Sequence, residues 1–318
     1  MLDRLRFALD VLGLRPFPER LREIRLTLAG DDTTPPSRFD LTSLRILDPK
    51  LALPIWLGRR PYGRRVPLYN LFNRSPTPES EGWSVRKTQV RDFRGGSLSY
   101  DSHNGTDFAT PPGTTVVAAA PGRVAVVVSE YNRGGLKLML DHGDGLITTY
   151  AHLARTVVQV GDHVARGQPI ALSGASGLNF IAGFGADPPH LHMNVWLDGT
   201  PIDPFAGPGE VSMWRGGDNS PTPTTTESEP FAVGDFDPDA VDRLIASCRA
   251  PAMRAALEAP AADLALRACR AIFYANYYPT RFTARPMPYR QSHARAPRLD
   301  LPFSAADYDG VAWTDREP

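Results

Sequence analysis

The feature that most constrains the fold is a series of short β-branched runs within residues 83–204. Each run is separated from the next by glycine, proline or aspartate. Short strands with this punctuation are typical of antiparallel β sandwiches and barrels. The runs are Thr115–Ala118, Gly122–Val127, Leu136–Leu140, Gly145–Tyr150 and Pro169–Leu172. The chain is therefore predicted to be mainly β, with an antiparallel sandwich or barrel-like core.

The sequence on either side of this core differs from it in composition and periodicity. Residues 1–82 are predicted to form an N-terminal helix and then an irregular wrap, because leucines recur at helical spacing before the first proline. Residues 214–234 are rich in Thr, Pro, Ser and Gly, a composition typical of a flexible linker. Helical periodicity returns in residues 235–285, whereas residues 286–318 give no clear signal. The compact domain is expected to span residues 83–213.

Charge and cysteine content limit the classes of function. Lys plus Arg and Asp plus Glu both number 35, so the net charge favours neither a nucleic-acid partner nor an anionic membrane surface. No apolar run is long enough to span a bilayer, and no export signal is visible, which indicates a cytoplasmic location for the sequence as written. The two cysteines, Cys248 and Cys269, exclude a disulfide-dense scaffold and are expected to be free thiols.

Histidines that can carry chemistry concentrate in the strand-rich region. His190 and His192 are separated by one residue on a predicted strand, so their side chains lie on the same face. His103 and Asp107 lie four residues apart in a loop next to a strand, and His152 ends another strand. Imidazole and carboxylate groups are ordinary zinc ligands. Each histidine alone is more often a hydrogen-bonded core residue than a ligand, so the metal hypothesis depends on their occurring together.

Six short motifs follow one another through this region. They are His103…Asp107, Pro111–Val116, Tyr150–Leu153, Gly161–Val164, Gly167–Gln168 and His190–His192. In order, spacing and glycine placement, residues 103–196 resemble the lysostaphin-type zinc endopeptidases, also called LytM-domain peptidases. That family cuts peptide bridges in bacterial peptidoglycan. The resemblance covers about a third of the chain.

The resemblance implies a role for each of five side chains. His103, Asp107 and His192 would be the ligands of one zinc ion per chain, which leaves a fourth tetrahedral position for water. Zinc lowers the pKa of a bound water from ~15.7 to about 7, which supplies a nucleophile at neutral pH. His152 and His190 would be the catalytic pair. One accepts the water proton, and the other hydrogen-bonds the oxyanion or helps to protonate the leaving amine, with the division of these roles left open.

The loop before the His-X-His motif departs from the family pattern. It is usually short and rich in Gly, Ser and Thr, but here residues 178–187 form an apolar insertion. One hypothesis is a substrate-contacting wall or an autoinhibitory lid that includes Phe180 and Phe184. The alternative is that the insertion packs on the N-terminal wrap. Tyr150 and Asn194 are the other predicted substrate contacts.

The implied activity is that of a metalloendopeptidase, which hydrolyses amide bonds in peptidoglycan cross-links or stem peptides. Such a role would place the protein in the periplasm or cell envelope. Two alternatives remain: a non-catalytic relative that regulates another cell-wall hydrolase, and a zinc peptidase that acts on a non-wall peptide. Regulatory relatives typically have lost ligand residues, whereas this chain retains them, which favours an active enzyme. A biotinyl- or lipoyl-type carrier is set aside because the surroundings of Lys137 do not suit an attachment lysine.

Overall fold

The computed structural model describes residues 2–178 and 185–315. The helices of these ranges are α1 (Leu2–Leu12), α2 (Phe17–Ala29), α3 (Pro49–Trp56), α4 (Pro238–Ala246), α5 (Pro251–Glu258) and α6 (Leu264–Tyr277). The strands are β1 (Arg65–Asn70), β2 (Thr106–Ala109), β3 (Thr115–Val117), β4 (Gly122–Glu130), β5 (Gly135–Asp141), β6 (Leu146–Thr156), β7 (His163–Val164), β8 (Pro169–Ser173), β9 (His190–Leu197), β10 (Thr200–Ile202) and β11 (Gly310–Trp313). Over the same ranges, none of the helices has the length and apolar character needed to cross a bilayer.

The eleven described strands form one sheet. Its main order is β11-β1-β2-β9-β6-β5-β4-β7, while β10 pairs with β9 and β8 pairs with both β6 and β3. Neighbouring strands are antiparallel except for β1 and β11, which run parallel. Each of the five predicted β-branched runs overlaps one of the strands β3, β4, β5, β6 and β8. The mainly β core predicted from the sequence is confirmed.

Strand β9 separates core side chains from polar ones. Leu191 and Met193 are buried in the main hydrophobic core. His190 and His192 alternate with them and therefore point to the other face of the sheet. Trp196 follows on that face and belongs to a second buried cluster, which includes the C-terminal helices. One face of the sheet thus carries both the histidine pair and the contact surface for these helices.

Helices α4–α6 lie within the region predicted to be helical and pack on this face. Val241 of α4 and Phe273 of α6 share a buried cluster with Met139 of β5 and Ile147 of β6. Both cysteines lie in the same cluster as free, buried thiols. The apolar stripe that gives the helices their periodicity is thus covered by the sheet, which explains why the segment is held against the β domain.

Two strands from outside the predicted compact domain extend the sheet. Strand β1 pairs with β2 on one edge and with β11 on the other. In the parallel β1–β11 pair, Arg65 lies opposite Gly310 and Val66 lies opposite Val311. The sheet therefore extends beyond residues 83–213. Its two added strands are far apart in sequence, so no local pattern reveals that they pair.

Residues 214–234 contain little regular structure but follow the surface of the domain. Trp214 is fully buried, and Arg166 Nη2 donates to Glu229 Oε2 at 3.0 Å. Arg166 also forms an isolated β-bridge with Glu227. The flexible linker is predicted from amino-acid composition, which gives no information on tertiary contacts of this kind.

His142 is a structural histidine at the end of β5. It is almost fully buried, its Nδ1 donates to the Pro121 carbonyl at 2.8 Å, and Thr148 Oγ1 lies 2.7 Å from its Nε2. Burial, only partly opposed by the hydrogen bond to Pro121, lowers the pKa of His142 from 6.5 to about 3. The ring is therefore neutral in the folded protein at pH values where it becomes charged in the unfolded chain.

This difference in pKa makes the stability of the protein dependent on pH. The contribution of neutral His142 is complete above pH 6.5 and is lost as the pH falls toward 3. Each pH unit in that window lowers the free energy of unfolding by about 1.4 kcal/mol. We expect His142→Asn, which keeps a donor for the Pro121 carbonyl, to flatten the acid loss. Urea denaturation of both proteins between about pH 7.5 and 4.5 checks this; parallel pH profiles would show that His142 is not the group responsible.

Candidate metal centre

Strand pairing brings the predicted ligands together. Asp107 on β2 lies directly opposite His192 on β9. Directly paired residues have Cβ atoms about 4.5–5.5 Å apart, so their side chains can meet. His103 precedes β2 and its backbone N–H donates to the Tyr100 carbonyl at 3.0 Å, which folds the loop back toward the strand. On the other side of β9, strand β6 brings His152 alongside.

His103, Asp107 and His192 place nitrogen and oxygen atoms around one point. His103 Nε2 lies 3.1 Å from Asp107 Oδ2 and 3.2 Å from His192 Nδ1, and His192 Nδ1 lies 2.7 Å from Asp107 Oδ1. Ligand atoms that bind one tetrahedral zinc ion at about 2.0–2.2 Å are roughly 3.3 Å apart, so the spacing suits such an ion. All three side chains are buried. Within the described ranges, no other group of three or more His, Cys, Asp or Glu side chains meets the same proximity condition.

Residues at the end of β1 form hydrogen bonds to two side chains of this cluster. His103 Nδ1 donates to the Leu71 carbonyl at 2.6 Å, which leaves Nε2 with its lone pair toward the cluster. Asn70 Nδ2 donates to Asp107 Oδ2 at 3.0 Å. Contacts of this type fix the tautomer and the orientation of metal ligands. No motif in the sequence pointed to Asn70 or Leu71, because Leu71 lies 32 residues before His103.

The protonation states of Asp107 and His192 are those required for metal binding. Burial raises the pKa of Asp107, but the neighbouring His103, His190 and His192 hold it well below its ordinary value. Burial lowers the pKa of His192, against the hydrogen bond and charge of Asp107. An ionised carboxylate and a neutral imidazole are the forms in which these groups bind metal ions.

His152 occupies a β-bulge. Leu138 on β5 lies opposite Tyr150, but Leu136 lies opposite Leu153, so β6 carries one extra residue between the two pairs. His152 has a φ of 58°, in the left-handed region that few residues other than glycine adopt. Because of the bulge, Tyr150 and Leu153 both face the main core while the His152 side chain joins the site.

The His152 ring is a neutral base beside the cluster. Its Nδ1 donates to the Ser176 carbonyl at 2.7 Å, so Nε2 keeps the lone pair. Burial, followed by the proximity of His190 and His192, lowers the pKa of His152 well below its ordinary value. The ring centroid lies 4.5 Å from that of His190 and 6.1 Å from that of His192. Nε2 of His152 is therefore placed to accept a proton close to the ligands.

His190 belongs to a hydrogen-bonded chain that leads away from the cluster. Its Nδ1 lies 2.7 Å from both the Pro188 carbonyl and the Tyr69 hydroxyl, and its Nε2 lies 3.8 Å from Asp107 Oδ1. Tyr69 also donates to Asp187 Oδ1 at 3.1 Å. Burial, partly offset by His190, raises the pKa of Asp187 to about 6. Tyr69 lies on β1, outside every motif, and Asp187 lies at the end of the insertion, so neither was identified from the sequence.

A cleft beside the cluster is formed by distant parts of the chain. One cavity of about 220 Å³ reaches His103, and a smaller one of about 60 Å³ reaches His152 and His192. A larger cavity of about 450 Å³, between residues 31–35 and 279–285, contains none of the five predicted site residues. The two cavities at the cluster share the lining residues Trp83, Asn104, Arg133, Asn276 and Tyr277. Helix α6 thus forms part of the cleft wall.

Tyr150 and Asn194, predicted as substrate contacts, do not line this cleft. Tyr150 is fully buried in the main core, where its hydroxyl accepts a hydrogen bond from Ala119 N at 3.1 Å. Asn194 is buried too, with Nδ2 donating to the Asn104 carbonyl at 2.8 Å and Oδ1 accepting from Tyr277. Both placements contradict a direct substrate contact. The bulge turns Tyr150 inward, and Asn194 supports Asn104 and Tyr277 instead.

Phe180 and Phe184, the other two predicted contacts, lie outside the described residues. The chain is described again from Gly185, and Asp48 N donates to the Ala186 carbonyl at 3.1 Å. One end of the insertion therefore contacts the N-terminal region. Whether the apolar part forms a wall, a lid or a packing surface stays a prediction.

Gly105 leaves room for the His192 ring. A Cβ atom at this position would lie 2.6 Å from His192 Nε2 and 2.7 Å from the Met193 carbonyl oxygen. We therefore expect Gly105→Ala to displace His192 and to weaken metal binding by about 10- to 100-fold, as outer-shell substitutions do. Gly310→Ala is the matched control, since a Cβ there meets nothing within 4 Å. Metal titration against a competing chelator measures both variants, and equal affinities would contradict the expected clash.

Comparison with known proteins identifies the domain that contains these residues. Residues 101–204 match the profile of peptidase family M23. Residues 101–204 form an M23 peptidase domain. Over 101 residues the chain is 42% identical to peptidoglycan DD-endopeptidase ShyB and 39% identical to peptidoglycan DD-endopeptidase ShyA, both of Vibrio cholerae. Each match covers 32% of this chain and 22% of the relative, so the chain spans about a fifth of the length of these proteins.

Solved structures also resemble the M23 domain. The catalytic domain of lysostaphin from Staphylococcus simulans is 32% identical, with 33% of this chain and 77% of that chain covered and a TM-score of 0.29. A zinc-containing peptidase from Vibrio cholerae is 31% identical, with 45% and 39% covered and a TM-score of 0.33. The predicted resemblance of residues 103–196 to a lysostaphin-type peptidase domain is confirmed by the family match over residues 101–204. The M23 domain includes all five side chains to which that resemblance assigned roles.

Proposed function

We propose that the chain is a zinc-dependent endopeptidase that hydrolyses amide bonds in peptidoglycan peptides by means of metal-activated water. The observation that carries the proposal is the convergence of His103, Asp107 and His192 on one point, with His152 and His190 beside it. The names of the two Vibrio cholerae relatives support the substrate class.

The donor set suits zinc. Two imidazole nitrogens and a carboxylate oxygen are common ligands of catalytic zinc sites, which keep one position open. His103 Nε2, His192 Nδ1 and Asp107 would hold the ion, with the outer contacts from Asn70 and Leu71 fixing their orientation. When bound, zinc polarises the substrate carbonyl and lowers the pKa of water to about 7.

His152 is the group that we assign as general base. Its Nδ1–H is held by the Ser176 carbonyl, so the proton from the attacking water can only be accepted at Nε2. The bulge and the hydrogen bond from His152 N to the Gly134 carbonyl (2.8 Å) fix the ring in place. A ring so fixed needs no reorientation before it accepts the proton.

His190 is the group that we assign to the oxyanion or the leaving amine. Its Nδ1–H donates to the Pro188 carbonyl, so Nε2 is the ring atom available to the reacting groups. A protonated His190 carries a second proton at Nε2, the atom that faces the cluster 3.8 Å from Asp107. That proton can be donated to a developing oxyanion or to the departing nitrogen.

The substrate class sets the place of action. Mature peptidoglycan lies outside the cytoplasmic membrane, so we propose that the protein acts in the periplasm or cell envelope. The non-wall peptide alternative differs in substrate alone, and the same assay distinguishes the two.

The test is a hydrolysis assay on the purified chain with and without a zinc chelator. Purified peptidoglycan and casein serve as the two substrates, and metal content is measured on the same samples. The proposal expects one zinc ion per chain, release of peptides from peptidoglycan, and loss of that release in chelator that returns on adding zinc. Undiminished hydrolysis by metal-free protein would refute the zinc role. Cleavage of casein alone would refute the substrate class.

A further inference from the structure

Arg133 is an unpaired cation in the cleft. It lies in the turn between β4 and β5, and its guanidinium carbon is 5.3 Å from the centroid of Trp83 and 5.7 Å from that of Tyr278. Its Nε is buried without a hydrogen-bond partner, and no ion pair of the described residues includes Arg133. Burial lowers the pKa of the guanidinium, although such a group stays charged at any physiological pH.

Neighbouring cations differ from Arg133 in that each already has a carboxylate partner. These pairs are Lys137 with Glu130 at 3.1 Å and Arg281 with Asp31 at 3.2 Å. Glu130 attracts Arg133 only from beyond ion-pair distance and is itself paired with Lys137. A partly buried charge without a carboxylate in ion-pair contact is costly, and two flanking aromatic rings offset only part of that cost. The carboxylate partner of Arg133 is therefore expected on a ligand that binds in the cleft.

The position of Arg133 connects it with the metal centre. Both cavities at the cluster are lined by Arg133, and they reach His103 in one case and His152 with His192 in the other. The next residue, Gly134, accepts the hydrogen bond from His152 N at 2.8 Å. A ligand group bound by Arg133 therefore lies in the same cleft as the reacting bond.

We propose that Arg133 binds a carboxylate of the peptide substrate close to the amide that the metal centre hydrolyses. This inference rests on the function proposed above. With aromatic rings nearby, the planar N–H edge of the guanidinium is the part that can bind, and two parallel N–H donors match the two oxygens of a carboxylate. Wall peptides offer such a group either at the chain terminus or on a diamino acid in the middle of the stem.

The experiment compares matched synthetic substrates. One cross-linked stem-peptide dimer has free carboxylates, a second has the diamino-acid carboxylate amidated, and a third has the terminal carboxylate amidated. We expect the wild type to lose about 10- to 100-fold in kcat/KM on one amidated dimer, the size of a charge-assisted hydrogen-bond pair. Which dimer is affected identifies the carboxylate.

Variants then assign the effect to Arg133. Arg133→Gln should lower kcat/KM on the free-carboxylate dimer by the same factor and leave the rate on the affected amidated dimer unchanged. Arg133→Lys, which keeps the charge but not the paired donors, should recover part of the loss. Arg249→Gln is the matched control, because Arg249 carries the same charge but lines the separate 450 Å³ cavity. Thermal melts of all variants report folding.

The outcomes separate this inference from the proposed function. Equal rates on all three dimers in the wild type would overturn the carboxylate subsite while the peptidase function stands. An equal loss on every dimer in Arg133→Gln would show a structural role instead. If the zinc-loaded wild type cleaves none of them, the proposed function fails, and calorimetric binding of the same dimers still decides the subsite: tighter binding of the free carboxylate supports it, and equal or absent binding overturns it.

Discussion

In the His192→Ala variant, bound zinc falls from one ion per chain to none, and hydrolysis of peptidoglycan peptides falls by at least about 10³-fold. Metal assistance contributes several kcal/mol to the transition state, and each 1.4 kcal/mol corresponds to a factor of ten in rate. His192 is one of three side chains around the cluster, and its Nδ1 is 2.7 Å from Asp107 Oδ1. Its loss leaves a buried carboxylate and one imidazole, too few ligands for a stable site.

The matched control is His163→Ala. His163 lies on the short strand β7 and is exposed, so its removal changes the histidine count without touching the cluster. Metal analysis and the peptide-release assay are run on both variants beside thermal melts. Full zinc occupancy in a folded His192→Ala protein would contradict the assigned ligand set.

The second large effect is expected at His152. His152→Asn should keep one zinc ion per chain but lose about 10²- to 10⁴-fold in kcat, the usual contribution of a general base. Asparagine is chosen because His152 has a φ of 58°, and asparagine tolerates that region far better than alanine does. Its carboxamide can still donate to the Ser176 carbonyl but cannot accept the water proton.

The two variants together distinguish a ligand from a base. Loss of zinc in His152→Asn would show that His152 is a metal ligand. An unchanged kcat would show that His152 is not the general base. The pH profile adds a further criterion. Since His152 has a pKa well below its ordinary value, activity of the wild type should not fall between pH 8 and about 6.5 through protonation of this ring. The His152→Asn protein should have the same profile in that range at a lower rate.

Much of the core and of the site could be predicted because the relevant patterns are local. Strand alternation alone places His190 and His192 on one face. The β-branched runs mark strands that the structure contains, and these strands need no distant partner to be recognised. The grouping of Asp107 with His192 is implied only by the resemblance to the lysostaphin-type family, because the two residues lie 85 positions apart and pair across β2 and β9.

Other features depend on contacts that no window of sequence contains. Strand alternation would place Tyr150 on the same face as His152, but the extra residue in β6 reverses it. Tyr69 reaches His190 only because β1 joins the sheet, and Tyr277 reaches the cleft only because α6 packs on the same face. Composition could not anticipate the ion pair that ties Glu229 to the domain.

The position of β1 has a consequence for when the centre becomes complete during synthesis. Asn70 and Leu71, at the end of β1, orient two of the ligands, and the outer edge of β1 is covered by β11. A ribosome releases β1 first, then the M23 domain and the helices, and β11 only afterwards. Until then one edge of β1 has no neighbouring strand, so the strand whose end orients the ligands is paired on one edge only. We therefore expect a nascent chain to carry every ligand well before it can hold zinc tightly.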